Sequence, residues 1–439
     1  MSYTFIGGTH IAEHKETNKL PIETVEAPEF VAIPLKQHIG APCTALVSKG
    51  DEVSVGQIIG DNKQALCCPV HASISGTVKE IQSRQDYSGG TVDHIIIQND
   101  YKNTVCSSVK PVEKTLDELS SDEIIELVRN AGIVGMGGAA FPTYAKIQSA
   151  VGKARKLIVN CAECEPYITG NHRLLFEHPQ DVINGIKILI KATGTTGAII
   201  AIEDNKLDAA EMLDKHITDK KLIQIKILKT KYPQGDERQL IYALFDGLEL
   251  PQGKLPADVG CVIFNPETAY NVFISLSTGM PVVSKILTVS GDAVNDKKNL
   301  LVPVGISYND VFRYCGGLKP SCRKIVSGGP MMGVSQWNIE ASVTRSTGAL
   351  LAFSETYGEI GNCIRCGRCV RACQMRLMPI YLAAYSEAEE FDECERFGAM
   401  SCVECGCCTY VCPGKVPIVQ YIRNAKGVIT ERRKRLSKK

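Results

Sequence analysis

Eight cysteines near the C-terminus constrain this chain more than any other feature. They are Cys363, Cys366, Cys369 and Cys373, then Cys402, Cys405, Cys408 and Cys412, the last followed by Pro413. In a doubled run of this kind, three close cysteines hold one cubane and the fourth crosses to the other cluster. The spacing therefore assigns one [4Fe–4S] cluster to Cys363, Cys366, Cys369 and Cys412, and a second to Cys402, Cys405, Cys408 and Cys373. A zinc ribbon fails on spacing. Cys407 stays unligated, because exchanging it with Cys408 spoils the repeat.

The rest of the chain is too long for a single core, since 439 residues suggest three or four domains. A net charge of +1 argues against a chain-wide nucleic-acid surface. Nineteen cysteines would suit a disulfide scaffold only in a short secreted chain, and the opening residues show no apolar leader core. No apolar run reaches the ~18 to 20 residues of a membrane-spanning helix. The cysteines thus read as metal ligands in a reducing, cytosolic compartment. Residues 426–439 carry seven basic side chains and one acidic. That tail reads either as a solvated end or as an electrostatic contact with an anionic membrane or an acidic partner.

Residues 28–98 alternate and turn on glycine, as short strands do. They suggest a barrel-sandwich of the lipoyl type. Lys63 lies where such domains carry a modified lysine, but the apolar strand expected before it is missing, so a structural or docking module is expected instead. Residues 99–121 are polar and read as a linker. From 122 to 278, strands expected at 156–159, 197–202, 222–228 and 259–264 alternate with helices at 122–131, 182–191 and 207–217, and another helix follows Pro266. This predicts a mostly parallel sheet covered on both faces, with its ligand at the carboxyl ends of the strands. Residues 281–340 return to short strands, with a helix at 308–314. A helix-like spacer at 381–397 separates the two cysteine runs.

The segment 132–146 holds Gly132, Gly135, Gly137 and Gly138, then Phe141, Pro142, Thr143 and Lys146. Such a loop lets backbone N–H groups approach an anion, and the lysine adds a charge for phosphate. The spacing fits neither the P-loop nor the dinucleotide fingerprint. Three acidic or amide-rich turns follow predicted strands: Asn160 to Pro166, Tyr232 to Arg238, and Phe264 to Asn271. Their carboxylates and amides can hydrogen-bond a ribose or an amide group.

These four segments, in this order, resemble the ligand loops of the flavin-bearing subunit of respiratory complex I. The whole layout is similar to the RnfC subunit of Rnf-type, membrane-bound ferredoxin:NAD oxidoreductases, including GGTHIAEHK at residues 7–15 and SGGPMMG at 327–333. The resemblance implies a multidomain α/β and β protein. Its parts would be a barrel-sandwich (28–98), a Rossmann-like flavin domain (115–278), a small β-grasp domain (281–340), a two-cluster ferredoxin-like domain (355–420) and the basic tail (426–439). It implies FMN at Gly135, Gly137, Gly138, Lys146, Asn160, Glu163, Gly235, Asp236, Asn265 and Thr268. NAD(H) would meet Phe141, Glu165 and Glu237. The complex I pattern has an acid where this chain has Ala162, and a glutamate at Asp236. The resemblance also implies membrane partner subunits, ferredoxin as an indirect electron donor, and a peripheral place on the cytoplasmic face of the cell membrane.

NAD takes a two-electron hydride, whereas a cluster takes one electron, so a flavin is needed between them; the chemistry belongs to the cofactors and no side-chain nucleophile is expected. Two other readings compete: a soluble corrinoid reductase, which usually begins at the flavin domain, and a non-catalytic electron wire, which would have degenerate flavin loops. Glu163 and Glu165 could instead cap a following helix. Cys161 and Cys164 lack a second pair for zinc. Cys67, Cys68, Cys315 and Cys322 are expected as buried small residues, and His10, His14 and His71 as structural.

Overall fold

The computed structural model describes residues 2–86, 89–356 and 358–437. Two small antiparallel sheets form the N-terminal module. One orders Phe30–Pro34, Thr91–Asn99, Gly76–Gln85 and Glu52–Val53, and the other Thr44–Ala45, Ile58–Asp61 and Val70–His71. Val31 lies opposite Ile97 and Ile33 opposite Ile95, so alternate side chains meet in one core. Lys63 is exposed in a turn between strands Ile58–Asp61 and Val70–His71.

The polar segment 99–121 is not a free linker. Val55 and Val105 form a bridge, and the Val112 amide donates to the Leu276 carbonyl at 2.9 Å. Leu119 is buried, with Val112 and Leu116 packed beside it on the next core. Three apolar residues in a polar stretch are enough to strap it down, a pattern too sparse to show as periodicity.

The next unit is a four-stranded, fully parallel sheet in the order Ile223–Leu228, Ala198–Glu203, Lys156–Cys161, Cys261–Phe264. Its strands are apolar because both faces are covered by helices. Strand order reverses between Lys156–Cys161 and Cys261–Phe264, the position at whose carboxyl ends sheets of this kind leave a crevice for a ligand. Asn160 and Asn265 stand at the two rims. The chain then builds a six-stranded mixed sheet. This sheet extends beyond 281–340, taking Ile22–Thr24 as one edge strand and the buried Ala349–Phe353 as a central strand. Neither strand was legible locally, since each is short and finds its partner across a long stretch of chain.

The C-terminal unit packs five short and long helices around Leu382, Cys394, Ile418, Ile422 and Ile429. The expected spacer is two helices, Pro379–Glu387 and Phe391–Arg396, broken where Glu389 takes φ 58°. The basic tail is not a frayed end over its described part. Helix Ile418–Ser437 runs through it. Ile422, Ala425 and Ile429 share its buried face, and Arg432 and Arg433 reach Asp392 (3.0 Å) and Glu395 (2.9 Å). Its acidic partners thus lie within the chain; Lys438 and Lys439 fall outside the described residues. Among the described residues no helix is long and apolar enough to cross a membrane.

A buried ion pair joins the parallel sheet unit to the six-stranded sheet. Lys285 donates to Glu267, and the other Glu267 oxygen accepts the Ile286 amide at 3.0 Å. Both residues are almost fully buried, and burial pushes the Glu267 carboxyl up against the pull of Lys285. Removing one partner strands a charge, so Lys285→Met should cost about 3–5 kcal/mol. Urea unfolding should also show the Glu267→Leu, Lys285→Met double variant losing less than the sum of the two single changes.

Candidate cofactor site

The glycine loop lies between helices Ser121–Asn130 and Thr143–Ala150. It closes on itself, with the Gly135 amide donating to the Phe141 carbonyl at 2.9 Å and Ala140 donating back to Gly135 at 3.2 Å. The Met136 amide donates to Thr268 Oγ1 at 3.1 Å. A Cβ on Gly137 would sit 3.2 Å from Asn265 Nδ2, whereas Gly138, at φ +121°, faces open space. The loop and the turn at 264–268 therefore meet across the crevice. Gly137, Gly138 and Ala139 are exposed, and Phe141 is half-buried.

Asn160 Nδ2 donates to the Gly235 carbonyl at 2.8 Å. A Cβ on Gly235 would lie 2.6 Å from the Ala162 carbonyl, so only glycine lets these two turns touch. Asp236 caps helix Glu237–Leu244 through the Arg238 and Gln239 amides, and Asn265 caps helix Pro266–Thr278. Two capped helix N-termini thus point into the strand-end crevice, which favours an anion there. Burial raises the Asp236 carboxyl above its ordinary range, against the pull of those amides. Lys146 Nζ pairs with Glu237 at 2.8 Å, so these two expected site residues already engage each other.

The acidic turn is arranged differently from a row of free carboxylates. Glu163 accepts the Asn171 amide at 2.9 Å and so caps helix Gly170–Glu177, the alternative its sequence position allowed. Glu165 caps no helix; it accepts the Met331 and Met332 amides at 3.0 and 2.9 Å, holding the 327–333 loop. Burial pushes its carboxyl up to about 7, against those two amides, which favour the charge. Lys15 Nζ donates to the carbonyls of Glu163, Glu165 and Ile168 at 2.7, 2.8 and 2.5 Å. Sequence reasoning did not assign Lys15 a role, although it ends the N-terminal motif. It also passed over Gln234, whose side chain is fully buried with both amide atoms lacking a hydrogen-bond partner. Cys161 is buried and Cys164 half-buried. Cys67, Cys68 and Cys315 are buried and Cys322 half-buried. His14 stacks on Tyr167, and His71 is buried.

On the cluster side, Cys369 interacts electrostatically with Cys363 and Cys412, and Cys408 with Cys405, Cys402 and Cys373. Cys373, Cys402, Cys405, Cys407 and Cys408 line one cavity. The Cys407 thiol lies 3.8 Å from the Tyr232 carbonyl, to which it donates. Tyr232 ties the two sides together, since its hydroxyl donates to the Cys405 carbonyl at 2.8 Å. The N-terminal arm adds a second tie: Thr9 exchanges amide hydrogen bonds with Tyr232, and Gly8 donates to Ala372.

Comparisons with known proteins agree with this layout. Three family descriptions match: an RnfC barrel sandwich hybrid domain at residues 3–102, a Nuo51 FMN-binding domain at 128–274, and a 4Fe-4S dicluster domain at 362–416. The RnfC subunit of the Na(+)-translocating ferredoxin:NAD(+) oxidoreductase complex of Acetobacterium woodii is 42% identical over 437 residues, covering 98% of each chain. The chain belongs to the RnfC family. A second member, from the proton-translocating complex of Clostridium ljungdahlii, is 39% identical and covers 97% of this chain and 94% of its own. The corresponding protein of the ion-translocating oxidoreductase complex of Vibrio cholerae is 35% identical, with 90% of this chain covering 51% of that longer one. Among solved structures, a chain of an NAD+-reducing [NiFe]-hydrogenase shares the fold at TM-score 0.50 and 18% identity, over 72% of this chain and 63% of that one. This RnfC chain is thus multidomain, with a barrel-sandwich module, an FMN-binding α/β domain and a 4Fe–4S domain. Its residues fit a flavin: Gly137 leaves room beside Asn265, Gly138 faces open space, and Gln234 holds a buried amide in want of a partner.

Two tests follow from the packing. Gly235→Ala should push the two turns apart, lowering stability by about 1–3 kcal/mol and shrinking the rise in melting temperature that added FMN produces. Glu165 binds its proton more tightly in the folded chain than in the unfolded one, so its contribution to stability falls as pH rises from about 4.5 to about 7. Glu165→Gln should therefore flatten the drop in urea midpoint across that window relative to the parent chain.

Proposed function

We propose that this chain is the flavin and iron–sulfur subunit of a membrane-bound ferredoxin:NAD+ oxidoreductase. In this reading electrons pass between two [4Fe–4S] clusters, FMN and NAD(H), and partner subunits in the membrane translocate the ion. The single observation that supports it most is the meeting of glycine loop and strand-end turns at the sheet's reversal point, tied by Tyr232 to the Cys405 loop. Near-full-length relatives carry the same activity in their names, and the barrel-sandwich match at residues 3–102 speaks against a corrinoid reductase.

Bound FMN supplies the exchange between two-electron hydride and one-electron chemistry. The chain's own residues bind and orient. Gly137 and Gly138 offer backbone N–H groups, Gly135 closes the loop that carries them, and Lys146, steadied by Glu237, offers positive charge to the phosphate. Asn160, Gly235, Asp236, Asn265 and Thr268 hold the turns that line the flavin, and Glu163 keeps the acidic turn in place from behind. Phe141, Glu165 and Glu237 border the NAD(H) side. The cluster ligands are Cys363, Cys366, Cys369 and Cys412, and Cys402, Cys405, Cys408 and Cys373. The unit at 281–340, completed by the strands at 22–24 and 349–353, is taken as the β-grasp domain beside the flavin domain at 115–278, the barrel-sandwich at 28–98 and the cluster domain at 355–420. With no spanning helix among the described residues, attachment to the cytoplasmic face of the membrane would run through the partners.

Anaerobically purified and reconstituted protein should carry about eight irons and one FMN per chain, and NADH should bleach the flavin. Cys373→Ala should bring iron to about four by removing the Cys402 cluster alone. A chain with full iron that neither holds FMN nor responds to NADH would sink the enzymatic reading.

A further inference from the structure

One constellation of metal-ligating side chains stands apart from the flavin turns and the two cysteine runs. His38, Cys43 and Cys67 are buried in the barrel-sandwich module, and their ligand atoms all lie within 4.8 Å of one another. The Cys43 and Cys67 sulfurs are 3.3 Å apart, and Cys67 Sγ is 3.5 Å from His38 Nε2. Tetrahedral zinc, with bonds of about 2.3 Å to sulfur and about 2.0 Å to nitrogen, spaces two sulfurs by about 3.8 Å and a sulfur from a nitrogen by about 3.5 Å; the Cys67–His38 separation matches, and the two sulfurs would part by about 0.5 Å. His38 Nδ1 lies 3.2 Å from the Ile39 carbonyl, a contact that suits a proton on Nδ1 and leaves the Nε2 lone pair as the acceptor. That lone pair now accepts the Cys68 amide at 3.0 Å, and an ion would take it over.

A buried cation beside the same segments limits the charge that such a site can carry. Arg345 is almost fully buried, its Nε and Nη2 have no hydrogen-bond partner, and no acidic side chain pairs with it among the described residues. Its Nη1 donates to the carbonyls of Pro69 (2.9 Å) and Gly132 (2.5 Å). The ionisable groups that act on it are Cys68, Cys43 and Cys67. A buried guanidinium disfavours further positive charge nearby. Zinc on two thiolates and a neutral imidazole sums to zero charge, so the ion can be seated beside Arg345 without adding to its positive charge.

We propose that His38, Cys43 and Cys67 form a zinc site, with water in the fourth position, that braces the barrel-sandwich module against the glycine loop. Binding releases one proton from each thiol and changes no oxidation state. The brace is visible in the neighbours: the Ile39 amide donates to the Ala140 carbonyl at 3.1 Å, and the Cys68 thiol lies 3.6 Å from the Ile133 carbonyl, packed on Val134 and Ala140. Soft sulfur with imidazole selects zinc over magnesium or calcium.

The test uses the full-length, cluster-loaded protein expressed with zinc supplied. Elemental analysis should find about one zinc per chain after dialysis against a mild chelator, and zinc-edge X-ray absorption, blind to iron, should show about two sulfurs with nitrogen or oxygen neighbours. Cys43→Ala, Cys67→Ala together should remove the zinc, keep the iron and weaken FMN binding about tenfold. The absorption measurement needs no variant, so a misfolded double variant does not decide the matter. Zinc below ~0.1 per chain overturns the proposal. So does an all-sulfur shell, which would place the ion among the cluster cysteines, or zinc retained by a folded double variant. A Cys43–Cys67 disulfide in peptide maps of the anaerobic protein overturns it as well.

Discussion

The buried ammonium of Lys15 sets the terms for the centre of the molecule. An ammonium out of water must be satisfied, and burial pulls the Lys15 pKa down even with Glu163 close by. Its three carbonyl acceptors, on Glu163, Glu165 and Ile168, draw the acidic turn into one tight bend. Within that bend Glu163 can face back to the amides of helix Gly170–Glu177, and Glu165 can face outward to the Met331 and Met332 amides. The same arm carries Thr17, whose hydroxyl meets Thr169 at 2.5 Å, and Thr169 in turn donates to Asn299 in the six-stranded sheet. One lysine thus organises the turn, and the strand of chain that bears it links three units.

The division of labour between the two halves follows from their chemistry. The flavin side presents backbone amides, capped helix ends and one lysine, all suited to a hard, anionic phosphate. The cluster side presents soft sulfur held by short helices and loops. Charge moving between them demands that they stay in register. Tyr232 serves that need directly, because it stands on the turn at 232–238 and bonds the backbone of Cys405. Gly7 fits against Gln374 so closely that a Cβ would lie 2.9 Å from its Cα, which seats the N-terminal arm in the same seam.

Features written locally in the sequence were legible. The cysteine spacing, the glycine loop, the helix at 308–314 and the four parallel strands each depend on neighbours a few residues away. The carboxylates were not legible in the same way. Glu163 and Glu165 differ in use although they stand two residues apart, because which amides each one meets depends on helix Gly170–Glu177 and on a loop near residue 330. The pairing of Lys146 with Glu237, the strapping of segment 99–121 and the acidic partners of the tail share that origin: each joins residues far apart in the chain. Gln234 and His38 carried no local signal at all, since what surrounds a buried side chain is a property of the packed molecule.

By itself, the sequence determined the kinds of chemistry this protein can carry, because ligand type and spacing are covalent facts: eight cysteines at cluster intervals, and glycines where a backbone must approach a ligand. It also determined the parallel sheet, because apolar runs buried on both faces have few other solutions. The tertiary structure decided how those parts address one another. It chose which amides and cations each carboxylate meets, brought Tyr232 to Cys405, and enclosed His38, Cys43 and Cys67 beside an arginine with no acidic partner among the described residues. Such choices are settled by desolvation, which acts only once the chain has closed around them.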